Sequence, residues 1–213
     1  MKTLKKKNEL LYFAFRNKKV QIGLAIILFF VLLALIGPSL TEYDPFDYAS
    51  PMGAVKPSAE FWLGTTFFGQ DVFTQFVLGL RATFFVGLLA GGIGTILGMV
   101  LGFTAGYKGG FLDEIINILT NIVLVIPTMA VLLIIAAYLE VRSLWTECIF
   151  IGLTSWPWVA RAIRAQTFSL RTREFVDLAR TSGMSSSKII FQEIAPNMMS
   201  YLVMTFILQF GGA

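Results

Sequence analysis

The sequence predicts an all-α membrane protein, a bundle of membrane-spanning helices. Of its 213 residues, 56% are hydrophobic and only 14% are charged, whereas soluble domains have about 45–50% apolar and about 25% charged residues. Several apolar runs approach the roughly 20 residues that a membrane helix needs. The 20 phenylalanines and 19 glycines are also typical of helices that pack in lipid.

Five apolar stretches are predicted to span or enter the bilayer. The first follows a basic start, as a signal peptide would, but it is too long for a signal core and lacks a small-residue cleavage site, so we expect a retained anchor. The last is too short to cross a hydrocarbon core of about 30 Å, so we expect the chain to be incomplete at its C-terminus. The stretches cover residues 20–40, 82–107, 115–139, about 144–159, and 198–213.

The distribution of charge predicts the orientation. Lysine and arginine cluster before residue 20 and again within residues 161–197, whereas residues 41–81 are mainly acidic. The positive-inside rule places both basic regions in the cytoplasm and the acidic loop outside. Residues 1–19 are predicted to form an amphipathic segment on the inner surface of the lipid bilayer. Because the net charge of +4 follows from this topology, nucleic-acid binding is not expected.

A ladder of glycines runs along the second predicted span. Residues four apart lie on one face of a helix, and a face without side chains lets another backbone approach closely. The spacing predicts either tight packing within one bundle or a sliding or pore-lining surface between subunits. The ladder consists of Gly94, Gly98, Gly102 and Gly106.

The residues needed for several kinds of chemistry are missing. The sequence has no histidine and one cysteine, Cys148, which excludes a His/Cys metal site, a His-based triad and an internal disulfide. It has no G-x-x-x-x-G-K-[ST] phosphate loop, and we expect no bound cofactor. An ion-coupled carrier usually buries a charged group at mid-depth. Here the charges lie near the ends of the third and fourth spans, at Asp113, Glu114, Glu147, Arg161 and Arg164.

Residues 173–197, REFVDLARTSGMSSSKIIFQEIAPN, form a polar segment between apolar stretches. Thr172 is the predicted N-cap of a first short helix, with Glu174 in its first turn, where a negative charge suits the helix dipole. Gly183 is predicted to end this helix in a left-handed conformation. A second helix is predicted from about Ser186 to residue 194, and Pro196 is expected to end the local pattern.

The second of these helices carries apolar residues at helical spacing. Ile190 and Ile194 are four apart, and Phe191 lies beside them. On a helix that faces solvent, such an edge is a candidate docking surface for another polypeptide. The alternative is that these residues pack against the ends of neighbouring spans.

The polar segment resembles a loop of a known family. DLARTSGMSSSKIIFQEIAPN is similar to the E-A-A-x-x-x-G cytoplasmic loop of ABC-importer permeases. Asp177, Ala179 and Gly183 fall on the acidic residue, the second alanine and the glycine of that motif, and Leu178 replaces its first alanine. FWLGTTFFGQDVFTQFVLGLRATFFVGLLA is similar to the W-L-G-T-D-x-x-G-R-D-V stretch of the subfamily that imports dipeptides, oligopeptides and nickel.

The resemblance implies a non-enzymatic permease subunit in a prokaryotic plasma (inner) membrane, with its N-terminus in the cytoplasm. Such permeases have six spans, so this chain would lack the end of the fifth and all of the sixth. The implied partners are a second, homologous permease, two cytoplasmic ATPase subunits that bind ATP and Mg²⁺, and an extracytoplasmic substrate-binding protein. Peptides are the expected substrate. Nickel and oligosaccharides are alternatives within the same machinery, and an ion-coupled carrier or channel is an alternative of another class.

The resemblance also suggests a division of the chain. Residues 1–19 are the cytoplasmic segment, 20–40 the first span, 41–81 the extracytoplasmic segment, and 82–213 the permease core, with a cytoplasmic coupling loop at about 161–197. In the family this loop sits in a cleft of the ATPase. The residues assigned to coupling by this resemblance are Glu174, Asp177, Ala179, Gly183, Ser186, Ile190, Phe191, Ile194 and Pro196.

Overall fold

The structure, a computed structural model, describes residues 16–48, 50, 53–138 and 143–212. Most of the predicted amphipathic segment, residues 1–19, lies outside them. The described chain is mainly helical and contains no strand; one isolated antiparallel bridge joins Thr65 and Asp71. The predicted all-α fold is therefore confirmed for the described residues. They divide into two compact units at the bond between residues 84 and 85.

The first unit contains the first predicted span. Helix α1 runs over Lys18–Ile36, and the Asn17 side chain caps it by accepting a hydrogen bond from the Lys19 amide at 3.0 Å. A 3₁₀ turn over Gly37–Leu40 follows. Nearly all of α1 is exposed and apolar, with only Ala34 buried, as expected for a helix that lipid surrounds.

Helix α2, Val72–Lys108, contains the second predicted span and begins ten residues before it. Its start is fixed by Asp71, whose Oδ2 accepts hydrogen bonds from the Thr74 amide at 2.8 Å and from the Thr74 hydroxyl at 2.6 Å. A carboxylate that caps the first turn satisfies amide groups that have no partner within the helix. The predicted span covers only the uncharged part of α2 between Arg81 and Lys108.

The third predicted span, 115–139, is divided between two helices within the described residues. Helix α3 runs over Gly110–Val125 and helix α4 over Thr128–Tyr138, and the two are bent by 74°. The break occurs at Pro127, because a proline disfavours the helical conformation of the residue before it. Ile126 is extended, with φ −75° and ψ 124°.

The remaining helices follow in order. Helix α5, Leu144–Leu170, contains the fourth predicted span and continues through Pro157. Helix α6 is Glu174–Thr181, helix α7 is Ser186–Asn197, and helix α8 is Met199–Gly212, the last two being bent by 80°.

Two of the described helices are long and apolar enough to cross a membrane by themselves. These are Lys18–Leu40, with a mean hydropathy of 2.8, and Val72–Lys108, with 2.2. Each bent pair, α3 with α4 and α7 with α8, meets the same criterion if its two helices form one span, which raises the number to four. Helix α5 does not meet it.

The glycine ladder lies against α5 of the same chain. A Cβ atom on Gly102 would lie 2.7 Å from the Ala160 carbonyl oxygen, and one on Gly106 would lie 2.7 Å from the Arg164 carbonyl oxygen. Gly94 and Gly98 face Ser155 and Val159 at even shorter range. These distances leave no room for a side chain, so α2 and α5 approach each other at backbone distance.

Candidate functional site

The 173–197 segment is held against the helices of the second unit by a single buried cluster. Val176 and Ala179 of α6 and Ile189 of α7 pack against residues of α2 and α5. Burial of this size ties the segment to both helices. The cluster comprises Phe103, Tyr107, Val159, Ile163, Val176, Ala179, Ile189, Ile190, Ile194, Ala195, Met198 and Leu202.

The start of α6 differs from the prediction by one residue. Arg173, with extended φ −82° and ψ 147°, occupies the N-cap position, and its side chain makes no cap hydrogen bond. Thr172, the predicted N-cap, instead donates from its hydroxyl to the Ser169 carbonyl at 3.5 Å. Glu174 and Asp177 lie in the first turn, where the helix dipole favours negative charge.

The elbow between α6 and α7 has the predicted glycine conformation. Gly183 has φ +76°, its amide donates to the Arg180 carbonyl at 3.0 Å, and the Met184 amide donates to the Ala179 carbonyl at 3.1 Å. This pair of bonds is the Schellman arrangement, which satisfies carbonyl groups at a helix end. The elbow is therefore a defined turn that fixes the direction in which α7 leaves α6.

Helix α7 is longer and less regular than predicted. Its hydrogen bonding is of the π type over Ile189–Ile194, and it continues past the predicted end at residue 194, through Pro196, to Asn197. A π segment widens the turn by one residue and changes which side chains share a face. Ser186 is exposed in the first turn, and the N-cap residue Ser185 makes no side-chain cap bond.

The predicted apolar edge is wrong for two of its three members. Ile190 is 9% exposed and Ile194 is fully buried, because both face the cluster shared with α2 and α5. The alternative interpretation, packing against neighbouring helices, holds for these two. Phe191 remains on the outside, 70% exposed, and Leu178 of α6 is 68% exposed. The apolar surface that the segment presents is thus formed by one side chain from each helix.

Helix α6 also carries an exposed ion pair. Asp177 and Arg180 form an exposed ion pair of 3.2 Å, and Arg180 Nε donates to the Tyr107 hydroxyl at 3.4 Å, with the guanidinium 5.3 Å from the ring centroid. The hydrogen bond to Tyr107, with Asp177 nearby, raises the pKa of Arg180 above its usual value. Arg180 therefore stays charged and connects α6 to the C-terminal end of α2.

The coupling residues assigned by resemblance thus fall into three groups. Gly183 forms the elbow, and Ala179, Ile190 and Ile194 are inside. The exposed members are Glu174, Asp177, Ser186, Phe191 and Pro196. Leu178, which departs from the family motif, was not among the predicted site residues. It is exposed beside the buried Ala179. Among the described residues, no group of three or more His, Cys, Asp or Glu side chains is placed to hold a metal ion.

A polar seam joins α3 to α5 and was not expected from the sequence. Arg164 and Asp113 form a two-point ion pair, with Arg164 Nη2 2.6 Å from Asp113 Oδ2. Asn117 Nδ2 donates to the same carboxylate at 3.0 Å. Arg161 Nη2 donates to Asn121 Oδ1 at 2.7 Å. The four-residue spacing of Asp113, Asn117 and Asn121 is visible in the sequence, but their partners, 40 and 51 residues away, are not.

Comparison with known proteins gives matches over most of the chain. Residues 94–213 match the family described as binding-protein-dependent transport system inner membrane component. Residues 14–57 match the N-terminal TM domain of oligopeptide transport permease C. The first match covers more than half of the chain and includes the 173–197 segment.

Curated relatives are similar along nearly the whole chain. The dipeptide transport system permease protein DppC of Alkalihalophilus pseudofirmus is 36% identical over 199 residues, which are 93% of this chain and 65% of that protein. The oligopeptide transport system permease protein OppC of Bacillus subtilis is 30% identical over 190 residues, 89% of this chain and 62% of that protein. The chain therefore spans slightly less than two thirds of the length of these relatives.

Proposed function

Because the chain belongs to the family of binding-protein-dependent transport system inner membrane components, we propose that it is a permease subunit of an ATP-driven importer of di- and oligopeptides. The names of its relatives support the substrate class, since these proteins are dipeptide and oligopeptide permeases. The subunit is a membrane protein and not an enzyme. It forms the translocation path together with a second, homologous permease.

The observation that carries the coupling role is the construction of the 173–197 segment. Its inner side is locked to α2 and α5 by the buried cluster, and its outer side presents Leu178 and Phe191. A cytoplasmic ATPase subunit with an apolar groove would cover these two side chains. Closure of two such subunits on ATP and Mg²⁺ then moves the segment, and the buried cluster carries this movement to α2 and α5.

The charge distribution supports the orientation. The basic N-terminal region and the basic segment after α5 lie in the cytoplasm, and the acidic residues between α1 and α2 face outside. An extracytoplasmic binding protein delivers the substrate to the outer side. The membrane is the prokaryotic plasma (inner) membrane, a proposal that the family description supports with the words "inner membrane component".

Two other functions are distinguishable by transport measurements. Nickel or oligosaccharides would use the same machinery, with specificity in the binding protein. An ion-coupled carrier would need a carboxylate that is free to bind the ion, whereas Asp113 is engaged by Arg164.

Uptake of labelled dipeptide, nickel and oligosaccharide is measured in cells that express the complete importer. We expect dipeptide uptake that stops on ATP depletion. Uptake that instead depends on the proton or sodium gradient would contradict the proposal.

The docking surface is tested by replacing its exposed side chains. Phe191→Ser should weaken copurification of the ATPase subunits about tenfold or more, since a buried Phe contributes about 1.5–3 kcal/mol. Gln192→Ser, at the exposed neighbouring position, is the matched control. Ile190→Ser should lower the yield of folded protein, because Ile190 is buried. Normal ATPase binding by Phe191→Ser and by Leu178→Ser would rule out this surface as the dock.

A further inference from the structure

Helix α5 is long enough to cross a bilayer but too polar for lipid to surround it. Its 27 residues extend about 40 Å at 1.5 Å per residue, yet it fails the hydropathy criterion that α1 and α2 meet. One side packs within the second unit. The exposed residues are apolar in its first half, at Trp145, Ile149 and Leu153, and mixed in its second half, where Arg161 and Ser169 lie on the same side as Trp158 and Phe168. The charge of Arg161 therefore needs water or polar groups around it.

Arg161 stands out among these polar residues because its charge is oriented but not neutralised. Its Nη2 donates to Asn121 Oδ1 at 2.7 Å, which fixes the guanidinium beside α3. Asn121 is neutral, and among the described residues no carboxylate lies within ion-pair distance of Arg161. The neighbouring Arg164, one turn further on, is satisfied by Asp113. The remaining N–H groups of Arg161, an exposed residue, are thus available to an anion.

The position of Arg161 in the helix makes this arrangement unusual. Arg161 lies nine residues, about 14 Å, before the end of α5 at Leu170, and Asn121 lies eleven residues, about 17 Å, after the start of α3 at Gly110. Arg161 is therefore well inside α5, and Asn121 lies four residues before the end of α3 at Val125. Charged groups at such places in transporters face a water-filled passage and mark the path of a solute.

From this geometry we infer that the exposed side of α5 lines the substrate path and that Arg161 binds the carboxylate of a passing peptide. The inference rests on the proposed function as a peptide permease. Every linear peptide with a free C-terminus carries a carboxylate, and the planar fork of an arginine matches its two oxygens. Asn121 is a positioning residue: its side chain holds the guanidinium of Arg161 toward the path without neutralising the charge.

The test compares two substrates in vesicles that contain the complete importer. One is a tripeptide with a free C-terminus, and the other is a C-terminal peptide amide that the unaltered importer takes up. Arg161→Gln should lower the maximal import rate of the free acid about tenfold relative to that of the amide, the effect of one charge-assisted hydrogen bond. The binding protein is the same in all samples, so its own preference cancels in this ratio. Arg161→Lys should recover much of the loss.

Gln166→Ala is the matched control. Gln166 is also exposed, but it lies five residues, about 140° around the helix, from Arg161 and so faces a different side of α5. It should leave the ratio of the two rates unchanged. An equal loss of both substrates in Arg161→Gln would overturn the inference. So would a loss that occurs only in vesicles with anionic lipid, because Arg161 would then hold a lipid phosphate. If the unaltered importer takes up neither peptide, the proposed function fails and this inference fails with it.

Discussion

At the scale of single residues, Gly183 has the largest effect on the geometry of the candidate docking segment. Its φ of +76° places it in the left-handed region, which a β-branched residue adopts only with strain. A Cβ atom at this position would meet no other atom within 4 Å. The cost of a substitution is therefore a cost of backbone conformation alone, which allows a clean comparison between residue types.

Gly183→Val should uncouple the subunit without displacing any packed side chain. Local strain of about 1–3 kcal/mol would turn α7, and Phe191 with it, away from the ATPase. We expect lower ATPase binding and lower substrate-stimulated ATP hydrolysis in the complete importer. Gly183→Asn is the control, because asparagine tolerates the left-handed region. Wild-type binding and stimulation in a normally inserted Gly183→Val variant would show that the elbow does not set the docking geometry.

Asp177 is exposed, and its ion pair with Arg180 is a surface pair, which contributes about 0–1 kcal/mol to stability. Asp177→Lys should therefore leave the protein folded while it reverses the charge beside Leu178. We expect weaker ATPase binding, with the yield of purified protein within error of the unaltered chain. Asp177→Asn separates loss of charge from its reversal. A variant that binds ATPase normally at low ionic strength, where charge effects are largest, would contradict a role for this charge.

At the scale of secondary-structure elements, the contact between α2 and α5 depends on which glycines face inward. Gly98 faces Val159 and the Ala160 amide, whereas Gly92, on the same helix, would have no atom within 4 Å of an added Cβ. Both positions are glycines in the same helix, six residues apart. They differ only in whether another backbone lies close, so they form a matched pair for measuring what close approach contributes.

Gly98→Ala should destabilise the purified subunit, because one methyl group forces α5 away along its whole contact with α2. Gly92→Ala should be neutral or stabilising, since alanine favours a helix over glycine by up to about 1 kcal/mol. Thermal unfolding in detergent, followed by size-exclusion chromatography, compares the two variants. Equal midpoints for both would show that α2 and α5 do not pack at backbone distance in the assembled protein.

The ion pair between Asp113 and Arg164 joins two other elements, α3 and α5. Both side chains are only partly exposed, at 17% and 30%, so removing one partner leaves a poorly solvated charge. The destabilisations caused by Asp113→Ala and by Arg164→Ala should therefore add up to more than the destabilisation caused by the double variant. Unfolding midpoints of the four proteins give the coupling energy. Strict additivity would mean that the pair does not hold α3 against α5.

At the scale of the whole molecule, the positive-inside pattern predicts which parts of the chain lie on each side of the membrane. Asp47 and Ser186 are both exposed, so a cysteine at either place is accessible to a reagent. The native Cys148 is buried and is replaced by serine. In intact cells, an impermeant thiol reagent should label a cysteine at position 47 and not one at position 186. The opposite labelling would reject the proposed orientation.

The sequence alone was sufficient for properties that depend on composition or on a few neighbouring residues. The helical membrane character follows from the apolar runs, and the elbow at Gly183 follows from a glycine at the end of a short helical segment. The glycine spacing of α2 is equally local. Each of these signals is complete within one turn or one run of residues, so no distant part of the chain was needed to interpret it.

The tertiary structure decided which surface of each helix is used. Ile190 and Ile194 were predicted to face a partner, yet they are buried in this chain, since the π segment of α7 changes the phase of its faces and the cluster of α2 and α5 covers them. Likewise, the pairs Asp113–Arg164 and Asn121–Arg161 connect residues 51 and 40 positions apart. A helical pattern defines the angles between side chains on one helix, but only the packing of helices determines which of these side chains point inward.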